Sequence, residues 1–62
     1  MDSQRAELTA VSSALDELTQ RITSLAEQYT VAHDDQTSTE LFEIERSLQQ
    51  AARRLERLLR EH

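Results

Sequence analysis

Apolar residues recur at alternating intervals of three and four along both halves of this chain, with one interruption near the middle. The first series is Leu8, Val11, Leu15, Leu18, Ile22, Leu25, Tyr29 and Ala32; the second is Leu41, Ile44, Leu48, Ala51, Leu55, Leu58 and His62. This is the seven-residue repeat of a helix that buries one seam, so the pattern predicts two helices and no strand. Laid antiparallel, the two series pair so that residue numbers sum to 73: Ala32 with Leu41, Tyr29 with Ile44, Leu25 with Leu48, Ile22 with Ala51, Leu18 with Leu55, Leu15 with Leu58, and Val11 with His62. A register one heptad tighter sets Leu25 against Leu41 instead. The predicted fold class is all-α, an antiparallel helical hairpin forming a single domain over residues 1–62.

The alternative of one continuous helix fails on phase. Tyr29 and Leu41 are twelve residues apart, so an unbroken helix would turn the second stripe about 120° away from the first at about 100° per residue. Helix 1 is expected to begin at Asp2 or Ser3, either able to cap it, and to span about 3–31. A turn over about 32–37 follows, where His33-Asp34-Asp35-Gln36-Thr37-Ser38 offers short polar side chains that compete for backbone groups. Thr37 with Glu40 three residues later matches a capping box, which places helix 2 at about 38–61.

With seam positions labelled a and d, and Leu8, Leu15, Ile22, Tyr29, Leu41, Leu48 and Leu55 at a, the two flanks of the hairpin differ. On the e flank, Ser12, Thr19 and Ala26 of helix 1 face Leu59, Ala52 and Glu45 of helix 2. Apart from Glu45 this strip is small or apolar. It widens the apolar face of helix 2 to the breadth expected inside a four-helix bundle. Residues 1–10 have no complement under the 73 register, although Met1 and Leu8 continue the seam there. Both features predict a second copy packed alongside, with Leu8, Ser12, Thr19, Ala26, Ala52 and Leu59 as the oligomer interface and a dimeric four-helix bundle as the assembly.

Composition sharpens this expectation. A chain of 62 residues has little core to bury, and chains of this size are commonly held by disulfides, metal or association. There is no cysteine, which leaves association as the open route. Gly, Pro and Trp are absent, as suits a helix-only chain and not one that needs sharp turns to present an active site. The net charge of −5 disfavours nonspecific attraction to nucleic acid or anionic membranes. No apolar run reaches the length of a membrane span or of a signal peptide's hydrophobic stretch, so the cytoplasm is the expected compartment and no membrane is expected as a partner. All seven cations are Arg; codon bias in a GC-rich genome explains that better than selected Arg chemistry does.

In layout, a chain of this length forming a helical hairpin and a dimeric bundle resembles the Rop family of plasmid RNA-binding proteins. The resemblance lies in architecture and implies RNA as a possible partner class, with no residue carried across.

Few side chains suggest chemistry. Arg46, Arg53, Arg57 and Arg60 fall on one outward stripe of helix 2, with Arg54 beside them, while Glu40, Glu43 and Glu45 lie at the helix start. This distribution complements the helix dipole, aided by a Glu56–Arg60 pair. It also suits docking to an acidic protein surface. RNA phosphates fit less well, given the net charge and the lack of aromatics among the arginines. Glu17, Arg21 and Arg54 are expected to form a surface charge network. Phe42 lies off the seam, either packed against the turn or serving as an anchor for a partner. His33, Asp34 and Asp35 are adjacent in a turn and cannot all point at one ion, and a fourth ligand would have to come from His62 of another chain. No nucleophile, base and orienting group line up. The expectation is therefore a non-enzymatic interaction or regulatory module without cofactors. Its expected partners are itself and a protein with an acidic or apolar helical surface.

Overall fold

Neither glycine nor proline interrupts the chain, so the break near its middle has to come from side-chain chemistry. In the computed structural model, which describes residues 3–61, helix α1 spans Ser3–Val31 and helix α2 spans Asp35–Glu61. They fold back on each other as an antiparallel hairpin. Asp2, Met1 and His62, to which a cap, a seam position and a partner for Val11 were assigned above, lie outside the described residues.

The turn is shorter than expected because one residue serves both helices. The His33 amide donates to the Thr30 carbonyl at 3.0 Å and the Asp34 amide to the Tyr29 carbonyl at 2.9 Å. These are the paired bonds of a Schellman motif, which satisfy carbonyls that the helix end would otherwise leave without donors. The motif needs a left-handed residue, and His33 takes that place with φ 64°. Asp34 then opens α2. Its carboxylate accepts the Thr37 amide at 3.1 Å and the Thr37 hydroxyl at 2.8 Å. Thr37 is therefore not the cap; it lies in the first turn of α2 and is held by Asp34. The start of α2 moves from about 38 to Asp35, whose own charge favours the positive helix end.

A turn centred on His33 sets a different register from the sum of 73. Thr23 donates to the Glu45 carboxylate, and Thr30 bonds to Ser38; both pairs sum to 68. The buried positions change with the register. Ser12, Ala26, Ser38 and Ala52 are buried, with Ala26 wholly inaccessible and Ala52 8% exposed. Leu8, Leu15, Thr19, Ile22, Leu41, Glu45, Leu48, Leu55 and Leu59 are half-buried. The inner seam is thus made of a and e positions. The d positions expected in it are exposed: Val11, Leu18, Leu25, Ile44 and Leu58.

The physical reason is residue size. Spacing of three and four is satisfied equally by a with d or a with e, but on α1 the e row of Ser12, Thr19 and Ala26 is smaller than the d row of Val11, Leu18 and Leu25, while on α2 the two rows are alike in size. Small side chains allow helix axes to approach at the short end of the usual range of about 8–10 Å. The a/e seam mixes small buried residues, Ser12, Ala26 and Ala52, with half-buried leucines, Leu15, Leu41, Leu48 and Leu55. The hydroxyls of Thr19, Thr23, Thr30 and Ser38 are satisfied locally. Thr19 donates to the Leu15 carbonyl at 2.8 Å and Thr30 to the Ala26 carbonyl at 3.0 Å, which leaves Ser38 as the donor to Thr30. The Thr23 hydrogen is shared between the Thr19 carbonyl and Glu45.

At the open end, Arg5 of α1 crosses to the Leu59 carbonyl in the last turn of α2, a position where a cation and a donor are both favoured. Its Nη1 is buried without a partner among the described residues, which offsets part of that gain. The Cα trace measures 50 × 14 × 10 Å with a radius of gyration of 14.5 Å. A compact chain of this length would have a radius of about 10.6 Å. The hairpin is one layer of helices, not two.

Two consequences are measurable by urea unfolding at fixed protein concentration. Replacing His33 with Gly should raise stability by about 1 kcal/mol by relieving the left-handed backbone, whereas Asp34→Ala should lower it by about 1 kcal/mol through loss of the cap. Ala52→Leu should cost about 1–3 kcal/mol by forcing α1 and α2 apart within one chain. An unchanged midpoint for Ala52→Leu would show that the seam does not run through that residue.

Candidate interaction surface

Equivalent heptad positions of two antiparallel helices flank their seam on the same side. With a and e inside, the d rows of α1 and α2 therefore form one continuous strip along one flank. It comprises Val11, Leu18 and Leu25 from α1 and Ile44, Ala51 and Leu58 from α2, all exposed. Leu18 is the most open of the leucines at 49%, and Tyr29 borders the strip near the turn at 39%. The opposite flank, at the b positions, carries Thr9, Asp16 and Thr23 on α1 and Phe42, Gln49 and Glu56 on α2. Apart from Phe42, it is polar.

The strip expected to meet a second copy is placed differently. Ser12, Ala26 and Ala52 are buried between α1 and α2 of the same chain, with Leu8, Thr19 and Leu59 half-buried beside them. These residues meet the neighbouring helix because the short turn brings the small e row, not the d row, to the centre. The apolar flank left open is the one that sequence spacing had assigned to the core. A partial cue was present in the sequence: on α1 the d row of Val11, Leu18 and Leu25 is larger than the e row of Ser12, Thr19 and Ala26, whereas on α2 the two rows do not differ in size.

Phe42 is 39% exposed and lies on the polar flank, away from the apolar strip. Arg46, Arg53, Arg57 and Arg60 are all exposed. Arg46 lies 3.9 Å from Glu43 one turn earlier, a solvated pair of small energetic weight. Among the described residues no ion pair joins Glu17, Arg21 and Arg54, and none joins Glu56 to Arg60, so both expected contacts are open in the hairpin. The arginines at the end of α2 are free to meet something else.

The remaining surface offers little enclosure. Two hollows of about 420 and 280 Å³ lie near the turn, lined by Ser24, Glu27, Gln28 and Val31 and by Leu25, Gln28, Tyr29 and Ala32. Both are formed by α1 and its cap alone, with no wall from α2. Among the described residues, no three His, Asp or Glu side chains gather where a metal could sit, and His33 and Asp35 are each exposed. No described helix is long and apolar enough to cross a membrane. No protein-family model matches the chain, nor does any curated protein or any solved structure.

Proposed function

We propose that this protein is a small non-enzymatic interaction module of the cytoplasm that self-associates through the strip of Val11, Leu18, Leu25, Ile44, Ala51 and Leu58. The observation that carries this reading is an apolar flank on a one-layer molecule. The exposed parts of these side chains and Tyr29 make a patch on the order of 500 Å², at the upper end of what a soluble monomer leaves uncovered. That is a large part of the roughly 800 Å² that each partner contributes to a stable interface. Stacking a second hairpin on the strip supplies the missing layer and gives a four-helix bundle. In such a bundle the arginines at the end of α2 stay outside and serve to recruit an acidic protein surface, which suits an adaptor or accessory subunit of a larger complex.

Sedimentation equilibrium should give about twice the 7.2 kDa of the chain, and the unfolding midpoint should rise with protein concentration. Leu18→Gln combined with Leu58→Gln should shift the mass toward the monomer, while Arg53→Gln combined with Arg60→Gln should leave it unchanged. A fully helical wild-type monomer with a concentration-independent midpoint would overturn the reading.

One observation favours a second reading: Arg53, Arg57 and Arg60 are exposed and, among the described residues, form no ion pairs. A Rop-like dimer would use that stripe on RNA phosphates. Binding to RNA hairpins that weakens steeply with added salt, and that is lost on replacing Arg53 and Arg57 with Gln, would put RNA in the place of the acidic protein.

A further inference from the structure

The apolar flank admits two ways of stacking a second copy with two-fold symmetry. If the axis runs along the hairpin, turn lies on turn and α1 of one copy lies over α2 of the other. If the axis runs across the hairpin, the turn of one copy lies at the open end of the other, and each helix lies antiparallel to its own counterpart. The apolar rows suit either arrangement. The charges do not.

Charge in α2 is divided along its length. Asp35, Glu40, Glu43 and Glu45 lie in the half next to the turn, and Arg53, Arg54, Arg57 and Arg60 lie in the half next to the open end. The exceptions, Arg46 near the turn and Glu56 and Glu61 near the open end, do not reverse either sign. The turn itself adds Asp34 and holds no Arg or Lys. Stacking turn on turn would therefore bring the two acidic turn ends together, while the arginines of each α2 would lie over α1 of the other copy, with its Glu7, Asp16 and Glu17. Turning one copy end for end sets each acidic half against an arginine-rich half.

We infer that the occupant of the apolar flank is a second copy of this chain turned end for end, with α2 lying antiparallel on α2 about an axis near Leu18 and Ala51. This inference rests on the self-association proposed above and adds its geometry. Ala51 then meets Ala51 of the second copy, the smallest residue of the d row at the point where the two α2 helices come closest. Ile44 falls level with Leu58 of the other copy, and Val11 with Leu25. Along the outer edge of the contact, the c positions bring Glu43 abreast of the second copy's Arg57, twice by symmetry. The weak Glu43–Arg46 contact within one chain does not prevent Glu43 from turning to that partner.

The test uses the absence of native cysteine. A chain carrying Ile44→Cys is mixed with one carrying Leu58→Cys and oxidised under mild conditions. A second mixture combines Ile44→Cys with Leu25→Cys, which meet only when turn lies on turn. Selective formation of the mixed disulfide in the first mixture supports the inference, and selective formation in the second overturns it while leaving self-association intact. No mixed disulfide in either, from a chain that sediments as a dimer, also overturns it. A wild-type chain that sediments as a folded monomer overturns the underlying self-association instead.

A second measurement reads the charges without cysteines. Mixed in equal amounts, Glu43→Arg and Arg57→Glu chains should form the heterodimer in about three- to tenfold excess over the statistical fraction at low salt, with the excess shrinking as salt is added. A statistical mixture at every salt concentration would overturn the proposed contact between Glu43 and Arg57.

Discussion

Asp34 is the residue on which the geometry of this molecule turns. Its backbone amide closes α1 by bonding the Tyr29 carbonyl, and its carboxylate opens α2 by holding the amide and hydroxyl of Thr37. Because one residue completes both ends, only Ala32, His33 and Asp34 separate the helices. A turn that short fixes the level at which α1 meets α2. The left-handed backbone of His33 is the strain accepted for it.

From that register the rest of the surface follows. The level set by the turn brings Ser12, Thr19, Ala26 and Ala52 into the seam, where the Thr19 hydroxyl finds the Leu15 carbonyl and, nearer the turn, Thr30 and Ser38 bond to each other. With a and e inside, the bulky d row beside them is left outside. Val11, Leu18, Leu25, Ile44 and Leu58 are thus displaced onto one flank, and a chain with too little apolar material for a two-layer core keeps much of it in water. The inner seam and the outer strip arise from a single choice of helix rotation.

That choice also separates two kinds of surface by their chemistry. The apolar strip is non-directional and gains from burial whatever covers it. The divided charges of α2 are directional along the axis, so they discriminate between orientations without adding much affinity. The polar flank, with Phe42 as its lone aromatic, and the exposed Arg46, Arg53 and Arg60 lie away from the apolar strip.

Much of the fold is legible in the residues alone. The interval of three and four specifies helices, and the phase shift between Tyr29 and Leu41 specifies a break between them. The acidic start and basic end of α2 can also be read directly. The sequence could not by itself choose which row faces inward. An a/d seam and an a/e seam have the same spacing, and the difference between them is a rotation of about 50° for each helix. The choice came from two tertiary facts: the Schellman closure at His33, which shortens the turn and resets the register, and the burial of the small e row of α1, Ser12 and Ala26, against α2. Periodicity along a helix reports which residues share a stripe; which part of the stripe is buried is decided by what lies opposite, and that is known only once the second helix is in place.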